Sequence, residues 1–181
     1  MDKIRLNVLG ISVSQTQTGA YALVLGEENG PRRIPIIIGF VEAQSIGMIW
    51  EGIVPSRPFT HDLIKTIADA FGITITEVLI NRLQKGIFYS ELICQHGGTE
   101  IRVDSRTSDA VALAVRFGCP IYTTPAVLEK AGIVTETHPN EGEFSQFSLK
   151  DLTELLNEAV LNENYERASA IRDEINKRKT P

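Results

Sequence analysis

One stretch limits this chain more than any other: Ile101-Arg-Val-Asp-Ser-Arg-Thr-Ser-Asp-Ala-Val-Ala-Leu-Ala-Val-Arg116. Its start alternates as a strand does, as far as Val103. Ala110, Leu113, Ala114 and Phe117 then recur at helical spacing. Between them lies a polar turn of Asp104, Ser105, Arg106, Thr107, Ser108 and Asp109. A chain that passes from strand to helix in so few residues belongs to a mixed α and β class. The junction is also a natural place for a site, because a helix start offers free N–H groups and partial positive charge. The plainer reading is local: Ser105, Thr107 or Ser108 is the N-cap and Asp109 answers the helix dipole.

The rest of the chain extends this pattern. Strands are expected over Ile4–Val13, with a bulge at Gly10, and over Ala20–Leu25 and Arg33–Ile38. Together they read as an antiparallel meander. A helix follows over Phe40–Glu51, with Ala43, Ile46, Gly47 and Trp50 on one face. A second helix is capped by Thr60 and buries Leu63, Ile64, Ile67, Ala68 and Phe71; Gly72 stops it. Strands Ile73–Leu83 and Ile87–Cys94 are joined by a turn at Gln84-Lys-Gly86. A further strand spans Glu100–Val103. After the Ala110 helix come a short strand, Pro120–Tyr122, and a short helix, Pro125–Ala131. The fold class is α+β: a mixed, largely antiparallel sheet or small barrel flanked by helices.

Composition changes after residue 133. Residues 134–147 contain no Lys or Arg and are rich in Thr, Glu, Pro, Asn, Gly and Ser, which reads as a linker. Residues 148–181 form a helical hairpin, with Leu149, Leu152, Leu156, Ala159 and Val160 striping the first helix. Tyr165, Ala168, Ile171 and Ile175 stripe the second. Three segments result: a body over 1–133, the linker, and the hairpin. So short a hairpin needs a partner surface for its apolar faces.

With 43% hydrophobic residues in 181, a real core is expected. Cys94 and Cys119 lack CxxC spacing and read as buried free thiols in a reducing compartment, with a disulfide as the alternative. No signal peptide or membrane-spanning run is read, so a soluble cytoplasmic protein with no membrane partner is expected. The net charge of −5 lies mostly in the tail, and the body is almost neutral. That disfavours a broad basic face gripping duplex DNA, though not a local basic cleft.

Four ordered runs carry a family resemblance. They are Ile34-Pro-Ile-Ile-Ile-Gly-Phe-Val-Glu-Ala43, Arg57-Pro-Phe-Thr-His-Asp-Leu63, Ile87-Phe-Tyr-Ser-Glu-Leu92 and Asp104–Arg116, the last followed by Pro120-Ile-Tyr122. On these the body resembles the bifunctional nuclease family. The family usually has Pro where this chain has Thr107, a change expected to cost rigidity rather than chemistry. The hairpin resembles the UVR motif of UvrB and UvrC through Leu155, Ala159, Val160, Glu163, Asn164, Tyr165, Glu166, Ala168, Ile171 and Arg172. In those proteins the motif mediates protein–protein contact.

The resemblance implies hydrolysis of RNA and DNA phosphodiesters. Its family-matched polar residues are Glu42, Arg57, His61, Asp62, Asp104, Arg106 and Asp109. His61 is the expected general acid or base, since imidazole titrates near neutrality. Asp62, Asp104 and Asp109 join it as catalytic candidates. Glu42, Asp104 and Asp109 are candidate ligands of Mg²⁺ or Mn²⁺. Arg57 and Arg106 are expected to bind phosphate. Each has a plainer reading. Glu42 and Asp62 answer helix dipoles, His61 is a surface residue at a helix start, and either arginine pairs with Asp62 or Asp104. No spacing here is a strong metal signature. Arg82 and Lys85 beside Phe88 and Tyr89 make a weaker basic–aromatic candidate for single strands.

Two functions follow. The first is a nuclease acting on RNA and DNA, with its hairpin docking a protein partner. The second is a noncatalytic, oligomeric binding or adapter module for a repair or quality-control protein. Homo-oligomerisation is expected in both, because a thin sheet body leaves apolar surface to bury.

Overall fold

The computed structural model describes residues 2–14, 17–134, 147–161, 171, 172 and 175. The chain divides into two compact units, Met1–Thr135 and Glu136–Pro181. In the first, elements follow in the order β1 (Ile4–Val13), β2 (Tyr21–Glu27), β3 (Arg32–Ile38), α1 (Phe40–Trp50) and α2 (Thr60–Ala70). Next come β4 (Thr74–Gln84), β5 (Ile87–His96), β6 (Thr99–Arg106), α3 (Thr107–Phe117), β7 (Ile121–Thr123), α4 (Pro125–Ala131) and β8 (Ile133–Val134).

The strands form one eight-stranded sheet in the order β6-β5-β4-β7-β1-β2-β3-β8. Every pairing is antiparallel except β4 with β7. The fold is α+β and the sheet is open, with β6 and β8 as its edges, so the barrel alternative does not hold. The bulge expected at Gly10 appears as a register shift between Val8 and Gly10 on β1. Such a bulge sharpens local twist.

The core lies between the sheet and helices α1, α3 and α4. Leu23, Leu25, Ile34, Val78 and Ile80 of the sheet meet Ile46, Val111 and Leu128 of those helices, all fully buried. On β3, Ile34, Ile36 and Ile38 point inward while Ile37 is exposed, which is plain strand alternation. Helix α3 carries most of the packing and buries Ala110 through Ala114. Small residues on it allow close approach to β4 and β5. Gly118 ends it at φ 64°, a left-handed conformation that turns the chain toward β7.

Four local expectations are corrected. The strand at 101–103 runs on to Arg106, so no turn separates β6 from α3. The N-cap of α3 is Arg106, not Ser105, Thr107 or Ser108. The N-cap of α2 is Phe59, with Thr60 inside the helix; Asp62 Oδ2 accepts the Phe59 N–H at 2.8 Å and does the capping from the third helical position. The α2 stripe expected to be buried is on the surface. Leu63, Ile64, Ile67 and Phe71 are all at least 40% exposed, and only His61 and Ala68 are buried. The reason is layering: α2 packs on α3 rather than on the sheet, so one narrow edge of it suffices. Trp50 of α1 is likewise about half exposed.

The second unit contains α5 (Leu149–Leu161). Leu152, Ile171 and Ile175 are buried together, with Leu155 and Leu156 packed against them. Ser148 caps α5: the Asp151 N–H donates to its Oγ, and its own N–H donates to Asp151 Oδ2. Of the linker expected over 134–147, residues 135–146 lie outside the described residues, as do the expected turn at 162–164 and Tyr165 and Ala168 of the expected second helix; Val134 belongs to β8. Among those described, no helix is long and apolar enough to cross a membrane.

The first unit has its own core, so a chain ending at Thr135 is expected to stay folded. Its thermal midpoint should lie within a few degrees of the full chain's, measured by circular dichroism. A much lower midpoint would mean that the C-terminal unit props up the body.

Candidate functional site

The start of α1, the buried edge of α2 and the start of α3 meet around one imidazole. His61 is 7% exposed. Its Nδ1 lies 2.9 Å from Ser45 Oγ on α1, and its Nε2 lies 3.1 Å from Asp109 Oδ1 on α3. An ionised carboxylate only accepts, so Nε2 carries a proton and, in the neutral ring, Nδ1 accepts from the Ser45 hydroxyl. Asp109 also accepts from Arg106, Nε to Oδ2 at 2.7 Å and one terminal nitrogen to Oδ1 at 2.9 Å. The other terminal nitrogen of Arg106 lies 3.1 Å from Glu42 Oε1. A chain of contacts thus runs Ser45–His61–Asp109–Arg106–Glu42 and ties three helices together.

A second ionic knot lies beside it. Arg116, with a side chain only 2% exposed, donates to Asp62 Oδ1 at 2.7 Å. It also donates to the carbonyls of Ser45 and Ala112. Arg116 thus ties α3 to α1 and α2. A terminal nitrogen of this guanidinium is buried without a partner.

Both knots perturb their carboxylates in the same sense. Burial pushes Asp62 up, but the Arg116 hydrogen bond and the Phe59 N–H outweigh it and hold the carboxyl below its usual range. Burial also pushes Asp109 up, and the hydrogen bonds from Arg106 and His61 overcome it, again leaving the carboxyl low. Asp109 itself, by hydrogen bond and charge, raises the Arg106 guanidinium further. These carboxylates are ionised and saturated with donors. That makes them poor proton acceptors and good anchors.

The ionic chain opens at one end into a hollow of about 420 Å³. That volume falls within the range of small-ligand sites. Its walls are Pro35–Ile38 at the end of β3, Gly39 and Glu42 at the start of α1, Gly86–Phe88 at the β4–β5 turn, and Arg106–Ser108. The curl of the sheet is visible here, since β3 and the β4–β5 turn face each other across the hollow. Neither α1 nor α3 has a side-chain N-cap hydrogen bond, so two helix starts border the same space. Thr107 is 4% exposed and sits 2.7 Å from Ser90 Oγ of β5 through its own hydroxyl. That buried pair clamps the start of α3 to β5.

The structure brings together Glu42, His61, Arg106 and Asp109, with Asp62 in the neighbouring knot. It leaves two candidates apart. Asp104 is exposed on β6, opposite Glu91 of β5, and makes no ion pair among the described residues. Arg57 is exposed on the loop before α2, also without an ion-pair partner among them. The trio Glu42, Asp104 and Asp109 does not fit a divalent ion. The Arg106 guanidinium fills the space between Glu42 and Asp109, and among the described residues no three His, Cys, Asp or Glu side chains are grouped to hold a metal. Ser45, His61 and Asp109 have the members of a hydrolytic triad. Ser45, however, is 4% exposed and does not line the hollow, so its hydroxyl is a strut.

Ser45 and Arg116 were missed as site residues from sequence. A signal for Arg116 existed, since it is a cation at the end of an otherwise apolar helix. Ser45 gave none, because a serine at a helical position is ordinarily solvated.

The bifunctional nuclease domain model matches residues 23–136, which include the strand-to-helix junction of Arg106 and Asp109. The chain belongs to the bifunctional nuclease domain family. A second model, the UvrB/uvrC motif, matches residues 148–179. Two similar proteins come from Mycobacterium tuberculosis: Uncharacterized protein Rv1829 of strain H37Rv and Uncharacterized protein MT1877 of strain CDC 1551. Each is 43% identical over 136 residues, covering 75% of this chain and 80% of the relative.

The Arg116–Asp62 knot should dominate local stability. Asp62→Ala leaves the buried guanidinium without its carboxylate and is expected to cost about 3–5 kcal/mol in urea unfolding. Acid titration gives a second readout. Asp62 and Asp109 are lowered on folding, so their contribution is complete above the unfolded carboxyl value of about 4 and fades as pH falls through the lower folded values. The wild type should therefore lose stability below about pH 4 more steeply than Asp62→Ala. Equal slopes would show that the pair contributes nothing.

Proposed function

We propose that the body is a nucleic-acid phosphodiesterase whose hollow holds the phosphate. The observation that carries this reading is the position of Arg106. It is the N-cap of α3 and lines the hollow, with its guanidinium fixed by Asp109 on one side and Glu42 on the other. A guanidinium held this way offers planar charge to a phosphate oxygen, and the adjoining helix starts add N–H groups. Glu42 is the carboxylate best placed to act on a water. It lines the hollow, and Arg106 contacts one of its oxygens. His61 and Asp109 act through Arg106 and are positioning residues in this proposal. Asp62 serves the Arg116 knot. Asp104 and Arg57 lie outside the ionic chain and are given no step. No step is drawn from Mg²⁺ or Mn²⁺, because Glu42 and Asp109 are engaged by Arg106 and Asp104 stands apart from them on β6.

RNA and DNA are the proposed substrates, from the family that the body belongs to. The hairpin, which matches the UvrB/uvrC motif, is proposed to dock a protein partner. The free cysteines, Cys94 and Cys119, support a reducing, cytoplasmic setting, with burial pushing the Cys119 thiol up to about 11 and so keeping it unreactive.

The assay incubates the full chain with single-stranded RNA and with plasmid, in Mg²⁺, in Mn²⁺ and in EDTA. Arg106→Gln is expected to reduce cleavage about a hundredfold or more, the scale of losing one oriented donor to transition-state charge. Glu42→Gln should lower cleavage while leaving binding in place. No cleavage under any of the three conditions would end the hydrolase reading.

A second reading has its own observation, the exposed apolar face of α2. Leu63, Ile67 and Phe71 recur at four-residue spacing with Ile64 beside them. A face of this kind suits contact with a second copy of the chain, in a noncatalytic oligomeric module as well as in an enzyme. Sedimentation of the full chain should give a mass above 20.0 kDa. Leu63→Glu with Ile67→Glu should return it to one chain. A wild type that sediments as a monomer would remove the oligomer proposal.

A further inference from the structure

Residues directly opposite on neighbouring antiparallel strands project from the same face of a sheet. Arg82 of β4 lies opposite Tyr89 of β5, and Tyr89 lies opposite Arg106 of β6. Arg82, Tyr89 and Arg106 therefore make one row across three adjacent strands. Strands are spaced about 4.8 Å apart, so the row spans roughly 10 Å. The Arg82 guanidinium lies 4.0 Å from the Tyr89 ring centroid. Leu92 and Cys94, which alternate with Tyr89 along β5, join the core, so Tyr89 and Arg82 stand on the opposite face, while the Arg106 guanidinium, at the end of β6, reaches Asp109 and Glu42 on the helix side.

Three further observations give the row a direction. Arg106, 68% exposed in its side chain, belongs both to the row and to the wall of the hollow. Lys85 at the tip of the same hairpin is exposed and, like Arg82, has no carboxylate partner among the described residues. The next outward-facing pair down the hairpin, Glu91 with Asp104, is acidic, and Arg102 lies against Glu91. Among the described residues of this ribbon, the cations without a carboxylate partner, Arg82 and Lys85, thus lie at the hairpin tip. A polyanion is favoured when it crosses the strands there and disfavoured when it runs along them.

We propose that Arg82, Tyr89 and Arg106, with Lys85, form a platform for single-stranded nucleic acid that delivers a phosphate to the hollow. The ring and the guanidinium stacked on it offer flat surfaces to an unpaired base, and bases stack on aromatic rings and on arginine planes alike. Duplex bases are already stacked on each other and cannot use these surfaces. Arg106 takes the phosphate that follows the stacked base. The proposal rests on the reading of the hollow as a phosphate site and adds the form of substrate that reaches it.

The test is fluorescence anisotropy of the full chain with a short labelled oligothymidylate, and with the same probe annealed as a duplex. A denaturing gel confirms that the probe is intact. Two unpaired cations, Arg82 and Lys85, at about 0.7 each give a slope of roughly −1.4 for log affinity against log salt. Arg82→Gln should reduce that slope by about 0.7. Tyr89→Leu should weaken binding roughly tenfold, and Tyr89→Phe, which keeps the ring, should retain it. Thermal melts confirm that each variant is folded. The platform is wrong if the wild type does not bind the single strand at low salt, if Arg82→Gln and Tyr89→Leu bind as the wild type does, or if the duplex binds as tightly. Variants that bind and cleave normally in a wild type that cleaves would remove the platform and leave the hydrolase. Row-dependent binding in a protein that cleaves nothing would keep the platform and remove the hydrolase.

Discussion

The Arg106 side chain folds back onto its own helix, and much of the first unit is organised around that contact. An N-cap residue ordinarily offers an oxygen to the helix start. Here the N-cap is a cation, and it is held by the carboxylate of Asp109 in the first turn. The free N–H groups of α3 are left without a side-chain cap and face the hollow. Asp109 is in turn held by His61, and His61 by Ser45. The reach from an exposed guanidinium to a fully packed interior is made in three contacts. The outer contacts are solvated and contribute little on their own, on the order of 0–1 kcal/mol each. Their value is geometric: each fixes the next side chain in one rotamer, and the chain as a whole sets the angle between α1, α2 and α3.

Arg116 supports that geometry from inside. It is anchored on α3, pairs with Asp62 of α2 and caps a carbonyl of α1. Buried ion pairs of this kind seldom add net stability over an apolar core, but losing one partner is costly. The result is a helix layer with little freedom to shear. Small residues from Ala110 to Ala114 let α3 sit close on the sheet, so the cations at both of its ends, Arg106 and Arg116, keep fixed positions relative to the strands. The hollow therefore inherits its shape from the core.

Much of this fold could be read from the chain, and the exceptions have physical causes. Alternation placed β1, β3, β4 and β5 within a residue or two, and α4 at Pro125–Ala131, because those segments bury one clear face. Strand β8 was not foreseen, since two residues carry no period. The end of β6 was read too early, because Asp104 and Arg106 look like turn residues and yet remain paired with Glu91 and Tyr89. The face of α2 shows a limit of another kind. Periodicity shows that Leu63, Ile67 and Phe71 share a face, but nothing in it says whether the same chain covers that face. At the site, the polar residues near 42, 61 and 104–109 were legible as a group. The spacing could not show that Arg106 would lie between Glu42 and Asp109, which turns a set of metal-like carboxylates into a guanidinium clamp. A one-dimensional pattern gives residue types and misses which opposite charges cancel.

The same cancellation bears on what the body can bind. A nearly neutral unit is poorly suited to a polyanion if only its total is considered. Fields at a surface depend on which charges lack a partner, because the two charges of an ion pair cancel beyond their own separation, whereas an unpaired charge acts out to the Debye length of about 10 Å. Glu27 is taken up by Arg32, Glu77 by Lys3, Asp62 by Arg116 and Asp109 by Arg106. Among the described residues, the cations left over include Arg57, Arg82 and Lys85, and the latter two stand at the tip of the hairpin that borders the hollow. The carboxylates left over include Asp104, farther down that hairpin. A body with almost no net charge thus has a local dipole across its β4–β5–β6 ribbon, positive at the end where the hollow lies. That polarity is built by strand register, since the pairing that puts Tyr89 opposite Arg106 also puts Glu91 opposite Asp104. A slip of one residue would turn both rows to the other face and erase it.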